Sequence, residues 1–269
     1  MSALKKVAII VPFYQNTISD LEKIALTQLQ NVLANYPRII IKPHSLVLPD
    51  EVNQYNFTAV ETFDDSYFKS IDGYNALMLS DTFYQRFLDY EFILIHQLDA
   101  FVFKDELSYW CSQPIDYIGA PWIPPNDYPD FIKAIKSKIQ FHYHARFNIQ
   151  KNGLPSSMQY EYRVGNGGFS LRRVKKFYDL SISMRDRMSV YLTRSEHEFH
   201  EDIFWSVEVN RKRKILNIPS YKTGLKFSFE LAPERALRLN KNQLPFGCHA
   251  WDKNLDFWRQ IFKNLGYHI

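Results

Sequence analysis

The sequence predicts an α/β domain of doubly wound, Rossmann-like type, with a mixed, mostly parallel central sheet flanked by helices. Three observations carry that expectation. Short, uninterrupted apolar runs at residues 7–11, 39–41 and 92–95 read as buried strands. An amphipathic helix pattern separates the first two, and such a strand–helix–strand start favours parallel pairing with a right-handed crossover. The chain of 269 residues, 46% hydrophobic and 23% charged, is long enough for one large domain with a substantial core. We expect a single domain over residues 1–269.

The first strand ends at Pro12-Phe13-Tyr14-Gln15-Asn16, a loop-like stretch. Ser19 and Glu22 then form a capping box, and Leu21, Ala25, Leu29, Val32 and Leu33 lay an apolar stripe along the helix that follows. A second helix is expected over residues 75–87. The strand at 92–95 closes on His96-Gln97-Leu98-Asp99. Residues 126–160 mix Pro, Lys, His and Gly with weak periodicity and are expected as an insertion or flexible flap. Residues 172–183 and 201–212 read as helices. A C-terminal helix is expected at about 251–266, where Trp251, Leu255, Trp258 and Phe262 recur at helical spacing. That stripe fits packing on the domain's own core. With Lys253, Arg259 and Lys263 nearby, it also fits contact with an anionic membrane.

Composition narrows the function classes. A net charge of +4 is too weak and dispersed to imply nucleic acid. Cys111 and Cys248 make neither a disulfide framework nor a zinc knuckle, which fits a reducing, cytoplasmic setting. The apolar run after Lys5 and Lys6 meets Pro12 too soon for a signal peptide, and no apolar stretch reaches the ~20 residues of a bilayer span. We therefore expect a soluble or peripheral protein. Aromatic residues make up 16% of the chain, which suits either ring stacking on a flat ligand or a densely filled core.

Four places carry candidate chemistry. Asp99 follows a buried strand, where ligands of open α/β sheets bind, so its carboxylate suits a divalent metal bridging to phosphates; a turn or cap Asp is the alternative. Gly165-Asn166-Gly167-Gly168 implies a tight turn or a close approach of backbone to a ligand. Glu201-Asp202 opens a helix, where acids serve as dipole-favouring caps or as a general base. His249 stands in a Gly- and aromatic-lined turn, as a ligand or as a structural histidine. His142 with His144, on a strand face, and His197 with His200, on a helix face, lack a third obvious ligand for zinc.

Taken in order, these places resemble a nucleotide-sugar-dependent glycosyltransferase of the GT-A fold. More closely, the chain resembles an uncharacterised bacterial family, a domain of unknown function met among polysaccharide-biosynthesis genes. The segments carrying the likeness are residues 7–12, 95–101, 116–122, 165–171, 201–205 and 245–251. The resemblance implies one GT-A-like domain that moves a sugar from a nucleoside-diphosphate sugar, foremost a UDP-sugar, to a glycan or lipid-linked glycan acceptor. The GT-A metal motif falls on Gln97-Leu98-Asp99, with Gln97 in place of the first acid and Asp99 as the single carboxylate. His249 resembles the second metal ligand, and Mn2+ or Mg2+ is the implied cofactor. Pro12 and Tyr14 would border the base, and Asn166, Gly167 and Gly168 the donor-sugar and acceptor pocket. Asp202 resembles the base of inverting members, and Glu201 its neighbour that orients acceptor hydroxyls or the helix terminus. Tyr14, Trp122 and Trp205 are expected to stack on base or sugar. The implied partners exclude nucleic acid and include peripheral contact with the inner membrane. A retaining transferase, or a nucleotide- or carbohydrate-binding protein without turnover, is the alternative.

Overall fold

A computed structural model describes residues 4–269. Its strands, in chain order, are β1 Lys5–Pro12, β2 Arg38–Pro43, β3 Ala59–Phe63, β4 Tyr90–His96, β5 Phe101–Val102, β6 Tyr117–Ile118, β7 Gln150–Lys151, β8 Leu154–Pro155, β9 Phe169–Arg173, β10 Ser228–Phe229 and β11 Gly247–Cys248. Six of them form one sheet in the order β3-β2-β1-β4-β9-β6. The first four run parallel; β9 is antiparallel to both β4 and β6. The sheet is thus mostly parallel, as the apolar runs predict, and β9 makes it mixed.

Near-continuous apolar strands arise because both faces are covered. Ala8, Ile10, Ile93 and Ile95 pack to one side with residues of helices Ile71–Leu79 and Val174–Ser183. Val7, Ile9, Val11 and Leu94 pack to the other with residues of Asp20–Val32 and Leu107–Ser112. The helix Asp20–Val32 starts at the Ser19–Glu22 capping box: Glu22 N donates to Ser19 Oγ at 3.3 Å, and Ser19 N to the Glu22 carboxylate at 2.7 Å.

Several helix bounds differ from the sequence expectation. Residues 75–87 hold two helices, Ile71–Leu79 and Asp81–Gln85, because the Ser80 hydroxyl accepts from Phe83 N and caps the second. Arg172 and Arg173 belong to β9, held in register by Ile93 and Phe92, and the helix begins only at Val174. The helix at Glu201–Ile203 passes at once into a π turn, Phe204–Glu208, rather than continuing to residue 212.

Within 126–160 lies a regular helix, Phe131–Phe147, capped by Asp130 Oδ1 accepting from Lys133 N at 2.7 Å. His142 and His144 lie on this helix and not on a strand. The β7–β8 hairpin follows, its turn made by Asn152 and Gly153, both at positive φ. At the C-terminus a helix spans Leu255–Asn264. Trp251 and Phe262 are buried against Phe101 and Trp258 against Phe103, so the stripe packs on the protein's own core and is not free for a membrane. No helix among the described residues is long and apolar enough to cross a membrane.

Candidate functional site

β1 lies between β2 and β4, and the chain leaves toward β3 on one side before returning to β4 on the other. Ligands of open α/β sheets bind at the carboxyl ends of strands at such a switch point. Here those ends open into a cleft of about 930 Å3. Pro12 ends β1 and Tyr14 follows it into the cleft, and Gln97, Leu98 and Asp99 follow β4. Asn166, Gly167, Gly168, Glu201, Asp202 and His249 complete the wall, so the cleft gathers all eleven residues nominated from sequence. Of the three expected stacking rings only Tyr14 lines it. Trp205 is fully buried against Phe177, and its indole N–H donates to the Met78 carbonyl at 3.3 Å. Trp122 packs edge-on against Tyr160, away from the cleft.

Antiparallel pairing explains how the glycine loop reaches Asp99. β9 starts opposite the end of β4, with Phe169 across from His96, and Gln97 N donates to the Gly168 carbonyl at 2.9 Å. Asn166 braces the turn, its Oδ1 accepting from Gly168 N at 3.0 Å and Phe169 N at 3.3 Å. Gly167 and Gly168 have no positive φ, so turn geometry does not demand glycine here. Close approach does. A Cβ on Gly168 would overlap His249 Nε2 and reach 2.6 Å from Gln97 Oε1, and one on Gly167 would overlap Glu201 Oε1.

The small sheet β10-β11-β5 assembles the other wall. Phe229 pairs with Cys248 and Cys248 with Phe101, which sets Glu230 and His249, the next residues along, beside Asp99. His249 Nε2 lies 3.2 Å from Asp99 Oδ1 and 3.0 Å from Gln97 Oε1, and its Nδ1 lies 3.2 Å from Glu230 Oε1. Asn166 Nδ2 donates to the same Glu230 oxygen at 2.7 Å. Against the effect of burial, Asp99 and Glu230 push the His249 imidazole up to about 10. Burial also works against Asp99, yet His249 holds its carboxyl below the ordinary value.

This donor set fits a divalent cation. Carboxylate and amide oxygens converge on one imidazole nitrogen, a set of donors that a cation could take. Glu230 orients the ring from behind, as carboxylates do for metal-bound histidines, and its Oε2 is buried with no partner. Among the described residues no group of three or more His, Cys, Asp or Glu could hold a metal, so further ligands would come from substrate phosphates or water. His197 and His200 flank a short turn on the cleft wall with their Nδ1 atoms 3.3 Å apart, and lack a third ligand too.

The adjacent acids part company. Glu201 is buried and takes Arg172 on both oxygens, at 3.0 and 3.2 Å, while its backbone N donates to Asn75 Oδ1. That engagement leaves it holding the wall at the start of the short helix Glu201–Ile203. Arg172, wholly buried, also donates to Tyr84 Oη at 2.9 Å. Burial alone would lower its pKa, but Glu201 raises it well above the ordinary value. Among the described residues Asp202 has no cation partner in hydrogen-bond reach and accepts only from Ile203 N, at 2.8 Å. Burial, then Glu201 and Glu230, push its carboxyl well above the ordinary range.

Sequence reasoning missed Glu230 and gave Arg172 no role. Arg172 had no signal of its own, because it stands beside Arg173 at the end of β9 and only strand alternation turns it inward. Glu230 follows the two-residue strand Ser228–Phe229, too short to be read from the sequence as a buried strand.

Comparison with known proteins adds to this geometry. A family model described as a protein of unknown function, DUF5672, matches residues 57–249. No curated protein matches the sequence. Among solved structures, the galactosyltransferase LgtC, in complex with donor and acceptor sugar analogs, aligns with a TM-score of 0.52 at 11% identity. The match covers 90% of this chain and 86% of that one. Core-mannan synthase A (CmsA/Ktr4) from Aspergillus fumigatus, in its Mn/GDP form, aligns at 0.49 and 12% identity over 77% and 71%. The likeness to LgtC shows that the fold is of the GT-A glycosyltransferase type.

Proposed function

The chain belongs to the DUF5672 family of proteins of unknown function, and on that premise we propose that it is a metal-assisted, inverting glycosyltransferase using a nucleoside-diphosphate sugar. One observation carries the reading. Asp99, His249, Asp202 and the Asn166–Gly168 loop, remote in sequence, line one cleft at the switch point of a GT-A sheet. We take residues 1–269 as one such domain, and a glycan or lipid-linked glycan of bacterial surface polysaccharide synthesis as the acceptor. The cytoplasm is the compartment this reading assigns.

Asp99 and His249 would hold Mn2+ or Mg2+, a mixed oxygen and nitrogen pair that suits manganese. When bound, the cation neutralises the charge that develops on the departing diphosphate. Glu230 keeps the Nδ1 proton of His249 in place, leaving Nε2 for the ligand role. Pro12 and Tyr14 border the base, with Tyr14 half-exposed and positioned to stack on it. Gly167 and Gly168 keep the sugar pocket free of side chains. Asp202 accepts the proton of the acceptor hydroxyl as that oxygen attacks. Arg172 holds Glu201, and through it the start of the helix that carries Asp202.

A second reading, a nucleotide- or carbohydrate-binding protein without turnover, is favoured by Gln97, an amide where GT-A enzymes have the first acid of their metal motif. Thermal unfolding with a panel of nucleoside-diphosphate sugars, followed by an assay of diphosphate release, separates the two. A transferase is stabilised by its donor with manganese and slowly hydrolyses it. A binding protein is stabilised without hydrolysis, and no stabilisation by any donor counts against both. The anomeric configuration of the product, read by NMR, decides between inversion and retention.

A further inference from the structure

The helix Phe131–Phe147 has two apolar sides. Phe141 and Ala145 are buried, Phe141 against the ring of Tyr162. On the other side Phe131, Ile135, Ile139, Tyr143 and Phe147 recur at every fourth residue, each at least 42% exposed. A four-residue step advances only about 40° around a helix, so the five side chains wind along one continuous stripe. Ile132, 68% exposed, widens it.

Apart from Asp130, whose carboxylate caps the helix start, the charges around this stripe are positive. The helix contains no acid, and Lys133, Lys136 and Lys138 are exposed beside the stripe. At its C-terminal end Arg146 donates to the carbonyl oxygens of Arg211, at 2.8 Å, and Lys212, at 2.5 Å. Those bonds fasten the basic run Arg211-Lys212-Arg213-Lys214 to the end of the stripe. Arg211 is paired with Glu208 at 2.6 Å, while Lys212, Arg213 and Lys214 are exposed.

We propose that this face docks on an anionic lipid bilayer. The stripe enters the boundary of the acyl chains, and the lysines and the basic run meet the headgroups. Charge complementarity selects that occupant. A second copy of the chain would bring the same unpaired cations face to face in an isologous contact. A neutral surface would leave them unmatched. The inference stands apart from the transferase reading, since it concerns a different face of the molecule and a different ligand.

Flotation tests it, with vesicles of phosphatidylglycerol and phosphatidylcholine mixed equally and with vesicles of phosphatidylcholine alone. The whole chain should float with the anionic vesicles, less so as salt rises, and far more weakly with the neutral ones. Ile135→Asp with Ile139→Asp should abolish flotation. Lys212→Gln, Arg213→Gln and Lys214→Gln together should weaken it on the order of 100-fold. All five positions are exposed, and unchanged thermal unfolding checks that the fold survives. No flotation, equal flotation with neutral vesicles, or flotation kept by both variants overturns the proposal. So does a dimer in solution that the isoleucine variant converts to monomer, because the stripe would then be a self-interface.

Discussion

Arg172 meets Glu201 through both terminal nitrogens, at 3.2 and 3.0 Å, with Glu201 lining the cleft and Arg172 buried behind it. Removing one partner of a buried ion pair strands the other charge. Glu201→Gln should therefore lower stability by ~3–5 kcal/mol, measured by urea unfolding. Arg172→Met added to Glu201→Gln should recover part of that loss. A double variant as unstable as the sum of the singles would show that the pair is not coupled.

Asp202 lines the same cleft without a cation partner. Asp202→Asn should cut turnover by ~10²–10⁴-fold and leave donor affinity nearly unchanged, the pattern of an interaction made in the transition state. Its raised pKa also sets a pH dependence. A base works only when deprotonated, so kcat/KM should rise with pH through an acid limb above the ordinary carboxylate range of about 4. A limb at the ordinary value, or an Asp202→Asn enzyme of normal turnover, would mean that another group takes the proton.

Gly168 has only backbone facing the imidazole of His249. Gly168→Ala should push His249 and Gln97 out of place and abolish metal-dependent nucleotide binding, with little change in the far-UV circular dichroism. Calorimetric titration of UDP with manganese reads the effect. Undiminished binding would place the cation elsewhere.

His96 ends β4 wholly buried, its ring against Phe169 and both ring nitrogens without a partner. Burial lowers its pKa to about 4, against 6.5 in the unfolded chain. Between those values the unfolded chain binds the extra proton, so this contribution is complete above pH 6.5 and is lost as pH falls toward 4. The difference corresponds to about 3 kcal/mol. His96→Phe, unfolded in urea across that range, should show a shallower loss of stability than the parent chain; equal slopes would assign the acid sensitivity to other groups.

The strand-end residues were legible in the sequence because an apolar run that stops at a polar residue marks the carboxyl end of a buried strand. Asp99 and the Pro12–Tyr14 loop were found that way. The Ser19–Glu22 box was legible because it is local. Glu230 was not, since its importance comes from β10 and β11 pairing, which sets it behind His249. The helix at Phe131–Phe147 escaped for a different reason. Its apolar residues occupy two opposite sides, so the periodicity that marks a one-sided helix cancels. The glycine loop was half legible: close approach was foreseen, but to a ligand, and the structure brings the side chains of His249 and Glu201 there as well.

The central claim is that a nucleoside-diphosphate sugar is cleaved in this cleft. The direct measurement is release of nucleoside diphosphate from a panel of donors by the wild-type chain, Asp99→Ala and Asp202→Asn, each with manganese and with chelator. The account predicts that at least one donor is cleaved by the wild type with manganese, that chelator stops it, and that neither variant sustains it. Cleavage of no donor, or cleavage that both variants retain, would contradict it.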